Sequence, residues 1–286
     1  LITMKIRYII LVVLIFAVSF NSCDKVDAPF IESRDYCNGN KKVLIEDYTG
    51  HGCVNCPGAA VLAQELKEIF CGRAVIIAVH AGYFAQPDFE NNPVFAANFT
   101  TEAGNEWDTY FGNSAKGNPN GLIDRVRVND SYVIYPQSWA EVADPLLMEP
   151  AEAFITINND FNVSNNTLST NIKTEFQQDI EGSFKVIVCI TQDNIIAPQK
   201  NNDPEIGATP IDSTYVHNHV LRGTLNGSWG EYVSTTGAVA MNEVYEKTYD
   251  IEFPTSWIAE DCHVVAFVYN ESNKQVLQAE EISVLD

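Results

Sequence analysis

Apolar and polar positions change their period twice along the chain. Tyr8 to Phe20 is one continuous apolar run, preceded by Lys5 and Arg7 and followed by Asn21-Ser22-Cys23. The run is shorter than the roughly 20 residues that a membrane-spanning helix needs. A basic start, a short apolar centre and small residues before a cysteine are the layout of a secretory signal, expected over residues 1–22 with Met4 fitting as its start. Residues 23–40 carry no apolar period and read as a tether. Val43 to Tyr48 then predicts a buried strand, and Pro57 to Phe70 places Val61, Leu62, Leu66, Ile69 and Phe70 on one helical face. Arg73 to Val79 is a short apolar run suited to the middle of a parallel sheet. Strand, helix and strand in that order form a βαβ unit. Residues 81–118 make a long connection containing aromatic residues, with a helix near Thr101 to Phe111. Gly121 to Val128 returns as a strand and Gln137 to Met148 as a helix.

Past Glu149-Pro150 the period shortens to two. Alternating runs recur at Phe154–Ile157, Leu168–Phe176, Phe184–Thr191, Tyr215–Leu221, Val244–Phe253, His263–Tyr269 and Gln275–Val284, separated by Asn, Asp, Gly and Pro. They predict an antiparallel all-β sandwich of immunoglobulin-like architecture over residues 151–286, following an α/β domain over residues 41–148. The stretch from Gln192 to Asp212 lacks calcium-loop spacing and reads as a solvated loop.

The length of 286 residues is enough for two such cores. With 17 Lys+Arg against 38 Asp+Glu the net charge is −21, and no basic cluster occurs. Nucleic acid is therefore excluded as a partner, because phosphate backbones are bound by basic surfaces. Anionic headgroups are disfavoured for the same reason. Membrane contact is expected through Cys23 instead. A small residue followed by Cys at the end of a signal resembles the bacterial lipobox, whose Cys is acylated, and acyl chains would anchor the body. Export also places Cys37, Cys53, Cys56, Cys71, Cys189 and Cys262 where disulfides persist.

Chemistry concentrates in Thr49-Gly50-His51-Gly52-Cys53-Val54-Asn55-Cys56-Pro57, between the first strand and the first helix. A C-x-x-C pair there sets its first sulfur at a helix N-terminus, where free N–H groups favour the thiolate. The second sulfur can then resolve a mixed disulfide. Structural zinc needs four ligands and no second C-x-x-C exists. Pro57 after Cys56 excludes c-type haem attachment. No cofactor is expected. His51 reads as a solvated loop residue, with thiolate stabilisation as its alternative. His80 is either a neighbour of the pair or a capping residue. His217 and His219 share a strand face, which could give two metal ligands, but with no third ligand evident they read as cross-strand polar contacts. Cys37 and Cys71 fall at the pole opposite the pair and predict one structural disulfide. Cys189 and Cys262, on strands that antiparallel pairing would bring together, predict another.

These residues resemble the thioredoxin-like superfamily. The resemblance implies a cis Pro119 beside the pair, with Cys53 as nucleophile and Cys56 as resolving thiol. It also implies that Asp47, six residues before Cys53, is a buried acid assisting proton transfer, with Glu46 its rival if the strand faces the other way. Gly52 and the dipeptide Val54-Asn55 depart from the usual thioredoxin neighbours. Taken with the lipobox and Tyr215-Val216-His217-Asn218-His219-Val220-Leu221-Arg222-Gly223, the chain resembles the twenty-eight-kilodalton outer-membrane protein family of lipoproteins. That resemblance implies an envelope lipoprotein, lipid-anchored at the outer membrane, with a thioredoxin-like domain followed by a β domain. Two functions follow as expectations: thiol–disulfide exchange on cysteine-containing envelope proteins, or non-enzymatic binding of a surface ligand with the C-x-x-C as a staple.

Overall fold

The computed structural model describes residues 34–234 and 237–286. The signal, Cys23 and most of the tether lie outside the described residues. The chain is mostly β, with several sheets and a few helices. Its first half contains strand β1 (Val43–Thr49), helix α1 (Cys56–Ile69), strand β2 (Ala74–His80), helix α2 (Glu102–Phe111), strand β3 (Asn120–Ile123) and helix α3 (Trp139–Met148). Strands β4 (Ala153–Asn162), β5 (Thr167–Phe176), β6 (Phe184–Gln192), β7 (Val220–Thr224), β8 (Glu231–Ser234), β9 (Val244–Glu252), β10 (Cys262–Asn270) and β11 (Val276–Ser283) follow.

Parallel pairing of β1 with β2, from Val43↔Ala74 to Thr49↔His80, completes the expected βαβ unit around α1. Helix α2 begins where Thr101 Oγ1 accepts from the Gly104 N–H at 2.9 Å, and stops at Gly112, whose φ of 75° only glycine adopts freely. The face that α1 buries is shifted from the expected one: Leu66 and Phe70 are buried as expected and are joined by Ala59 and Ala63, whereas Val61 and Ile69 are exposed. Small alanines let the helix lie close to β1 and β2, and that outweighs the hydrophobicity of the larger residues. Strand β3 ends at Ile123 instead of Val128, because Asp124 and Arg125 have φ of 44° and 52° and turn the chain out of the ladder. Likewise the expected run Tyr215–Leu221 is broken at His219, with φ of 55°.

The boundary expected near residue 150 does not separate two sheets. One eight-stranded sheet runs β11-β10-β6-β7-β2-β1-β3, with β8 also on β6. Its two halves meet where β7 lies parallel to β2, with Val220 opposite Ala78 and the Ala78 N–H donating to the His219 carbonyl at 2.8 Å. Strands β4, β5 and β9 form a separate three-stranded sheet. Three apolar layers result. Leu44, Val75 and Val79 from the first half and Ile187, Val265 and Phe267 from the second share one cluster on one face, under α2 with Trp107. On the opposite face α1 and α3 cover β1 to β3, while the three-stranded sheet packs on β6 and β10 through Ile155, Leu168, Val188 and Ala266.

This sheet explains one correction. Cys37 and Cys71 are joined as expected, but Cys189 and Cys262 are free, buried thiols. Although β6 and β10 are adjacent and antiparallel, Cys189 stands opposite Val265 and Cys262 opposite Gln192. That offset of three sends the two sulfurs to opposite faces, one into each apolar cluster. Burial raises both thiols, Cys262 to about 12.

Candidate functional site

At the C-terminal end of β1 the chain turns through residues 50–55 into α1, and the turn holds a disulfide between Cys53 and Cys56 with Cα atoms 5.4 Å apart. Cys56 opens the helix and Pro57 follows it, where a missing N–H costs no helical bond. The bond Asn118-Pro119 is cis and leads directly into β3, which pairs with β1. Gly50 and Gly52 are required by close approach. A Cβ on Gly50 would sit 2.5 Å from the Phe84 backbone, and one on Gly52 would sit 2.6 Å from the Phe89 ring.

Strand alternation resolves the two acids. Glu46 points to the α2 face, where its carboxylate accepts from Arg125 Nε and Nη2 at 2.7 Å each. The Arg125 guanidinium is itself buried among Trp107, Phe111 and Phe267, 4.9–5.2 Å from their ring centres. Glu46 is thus neutralised and structural. Asp47 points to the opposite, α1 face, is 2% exposed, and its Oδ1 has no hydrogen-bond partner. Burial raises its pKa from 3.8 to about 7. Asp47 is therefore able to change protonation near neutrality.

The disulfide is roofed. Cys53 and Cys56 are 3% and 2% exposed. One cover is the 82–95 connection, whose Phe84 carbonyl accepts from the Gly52 N–H at 2.9 Å. The other comes from the stretch expected to be a solvated loop. Gln199, buried, donates from Nε2 to the Cys53 carbonyl at 2.8 Å and the Gly50 carbonyl at 3.3 Å. The Lys200 N–H donates to the His51 carbonyl at 2.8 Å, and the Asn202 N–H to the Val54 carbonyl at 3.3 Å. Lys200 Nζ pairs with Glu90 at 2.6 Å, tying the two covers together.

Histidines gather beside this roof. His51 is not solvated: it is buried, hydrogen-bonded through Nε2 to the Gln86 carbonyl at 2.8 Å and stacked on Phe95 at 5.2 Å. Burial lowers its pKa. His80 and His217 lie 5.7 Å apart, each 5.0 Å from Phe99. Desolvation lowers His80 well below its ordinary value and His217 to about 4, so both are neutral. His219 parts from His217 at the strand break and meets Asp193 at 3.5 Å. Among the described residues no group of three His, Cys, Asp or Glu is placed to hold a metal ion.

Gln199 and Phe89 are site residues that the sequence pattern missed, and His217, read as a cross-strand polar contact, is instead buried beside His80 and Phe99. Gln199, Phe89 and His217 come from three separate segments, and no local signal marks their convergence.

The sequence model for the outer membrane protein Omp28 family matches residues 104–285. HBP35 of Porphyromonas gingivalis is structurally similar, with a TM-score of 0.63 and 15% identity, over 87% of this chain and 77% of that one. A domain of the outer membrane lipoprotein Omp28 from Porphyromonas gingivalis aligns with a TM-score of 0.33 and 20% identity, over 47% of this chain and 88% of that one. No curated protein matches the chain.

Proposed function

Starting from the fact that this chain belongs to the Omp28 outer membrane protein family, we propose that it is a lipid-anchored envelope protein whose first domain is thioredoxin-like and exchanges disulfides with envelope proteins. The observation that carries this reading is the Cys53–Cys56 disulfide at the first turn of α1. Asp47, with its unpaired oxygen on the α1 face of β1, supports it. Cys23, as the acylated residue, supplies the anchor.

In the exchange, the Cys53 thiolate attacks a disulfide of the partner, forming a mixed disulfide and releasing one partner thiolate. The Cys56 thiol then passes its proton to the Asp47 carboxylate. Its sulfur attacks Cys53, closing the 53–56 disulfide and releasing the second partner thiolate. The partner is reduced by two electrons and the pair oxidised by two. The reverse sequence oxidises a partner dithiol. The helix N-terminus stabilises the Cys53 thiolate, and Asp47, raised to about 7, can take and return a proton near neutral pH. Access requires the 199–202 strap to lift from residues 50–55.

The burial of both cysteines favours a second reading, a non-enzymatic surface-binding protein in which the pair is a staple. Equilibration in glutathione buffers, followed by thiol trapping and mass mapping, separates the two. A Cys53/Cys56 potential between about −120 and −270 mV supports exchange, and one below about −300 mV makes the pair structural.

A further inference from the structure

A cleft of about 610 Å³ opens between α1 and residues 206–219, on the face of the sheet to which Asp47 points. Asp47 lies at its buried base. Ala60, Ala63, Ile76, Ile206 and Val216 supply apolar walls, and Glu65, Glu68 and Asp212 supply carboxylates. No lysine or arginine lines it. A buried carboxyl oxygen without a partner is costly, and native proteins rarely leave one unless something else completes it. Once ionised, Asp47 calls for a hydrogen-bond donor, and the carboxylates lining the cleft favour a positive charge on it. The walls call for methylene groups behind that charge. A hard divalent ion is unsuited, since it needs several converging oxygens and no group of three ligands occurs among the described residues.

We propose that this cleft binds an aliphatic ammonium ligand, of the alkyl diamine class, with one ammonium on Asp47, its chain along the alanine face of α1 and its second ammonium among Glu65, Glu68 and Asp212. The site goes beyond disulfide exchange and does not depend on it, because binding needs only the closed disulfide present in the structure. Binding ionises Asp47, so affinity follows the carboxylate. The titratable groups lining the cleft with Asp47 are Glu65 and Glu68 from α1 and Asp212, Tyr215 and His219 from the covering segment, of which Tyr215 feels the Asp47 charge, while β2 contributes only Ile76 and Ala78. Tyr215 stays protonated, raised to about 12, and burial shifts His219 to the acid side of its ordinary value. Asp47 changes charge between pH 6 and 8, and its fraction ionised rises roughly tenfold over that range.

The test is calorimetric titration of the full chain, disulfides closed, with 1,5-diaminopentane, and with 1-pentanol as the neutral control. The expected result is one binding site at pH 8, weakened roughly tenfold at pH 6, with no measurable binding of 1-pentanol. Asp47→Asn is expected to weaken binding at pH 8 at least tenfold. Ala60→Phe, at a half-buried wall position, should block the cleft while leaving the far-ultraviolet spectrum and melting temperature unchanged. No heat at pH 8 overturns the proposal. So does undiminished binding by both variants, which would mark simple ion exchange on an acidic surface, or equal binding of 1-pentanol. Binding by the wild type that both variants lose, together with a potential below about −300 mV for the pair, would leave the cleft standing and the exchange reading refuted.

Discussion

Asp47 sets a sharp expectation for stability against pH. Its carboxyl titrates near its ordinary 3.8 when the chain is unfolded and at about 7 when folded. Below 3.8 both states carry the proton and there is no penalty. Between 3.8 and 7 the unfolded chain releases its proton while the native one holds it, so stability falls as pH rises. Above 7 the native carboxyl ionises as well and the full penalty remains. The interval of about three pH units corresponds to about 4 kcal/mol at 1.36 kcal/mol per unit. Asp47→Asn keeps the shape and removes the titration. Urea unfolding with disulfides closed, at pH 4 and pH 8, should show the wild type losing about 4 kcal/mol relative to the variant between the two, with the denaturant slope unchanged. A difference between wild type and variant that stays constant across that range, or that grows in the wild type's favour, would refute the assignment of Asp47 as an unpaired buried carboxyl.

Other outcomes follow from the packing. Arg125→Met leaves Glu46 buried without its partner and should cost about 3–5 kcal/mol in urea unfolding, most of it recovered by adding Glu46→Leu. Removing the Cys37–Cys71 link, which closes a separation of 34 residues, should cost about 3–4 kcal/mol. Alkylation of the native protein should spare Cys189 and Cys262, and denaturation without reductant should expose both to the reagent, as peptide mapping would read. Gln199→Ala removes the donor to the Cys53 carbonyl and should speed reduction of the 53–56 pair by dithiothreitol at least severalfold. An unchanged rate would show that the strap does not control access.

Legibility in the sequence tracked the range of the interactions. The βαβ unit, the helix near Thr101 to Phe111 and the strands from Phe154 onward are readable because hydrophobic period is written within a few residues. The bend at Asp124 and Arg125 is not, since the groups these residues meet, Lys41 for Asp124 and Glu46 for Arg125, are distant in sequence. The pairing expected of Cys189 and Cys262 fails because strand adjacency is legible but register is not, and a three-residue offset decides which face each sulfur takes. At the site, the cysteine pair and Asp47 were visible as a motif. The roof was invisible: Gln199 sits among Asn, Asp and Pro in a polar stretch, and its burial comes from backbone carbonyls that no side-chain pattern encodes.

The shared sheet has a consequence for how the protein is made. Synthesis and export deliver the N-terminal end first, so β1, β2 and β3 exist before residue 220 has emerged to lie against β2. Until then β2 is an edge, its row of peptide groups open to any passing strand, and Leu44, Val75 and Val79 await the apolar cover that Ile187 and Phe267 bring later. The first half is therefore an unfinished surface for the time it takes to deliver roughly a hundred further residues. A chain cut near residue 150 would stay in that condition permanently.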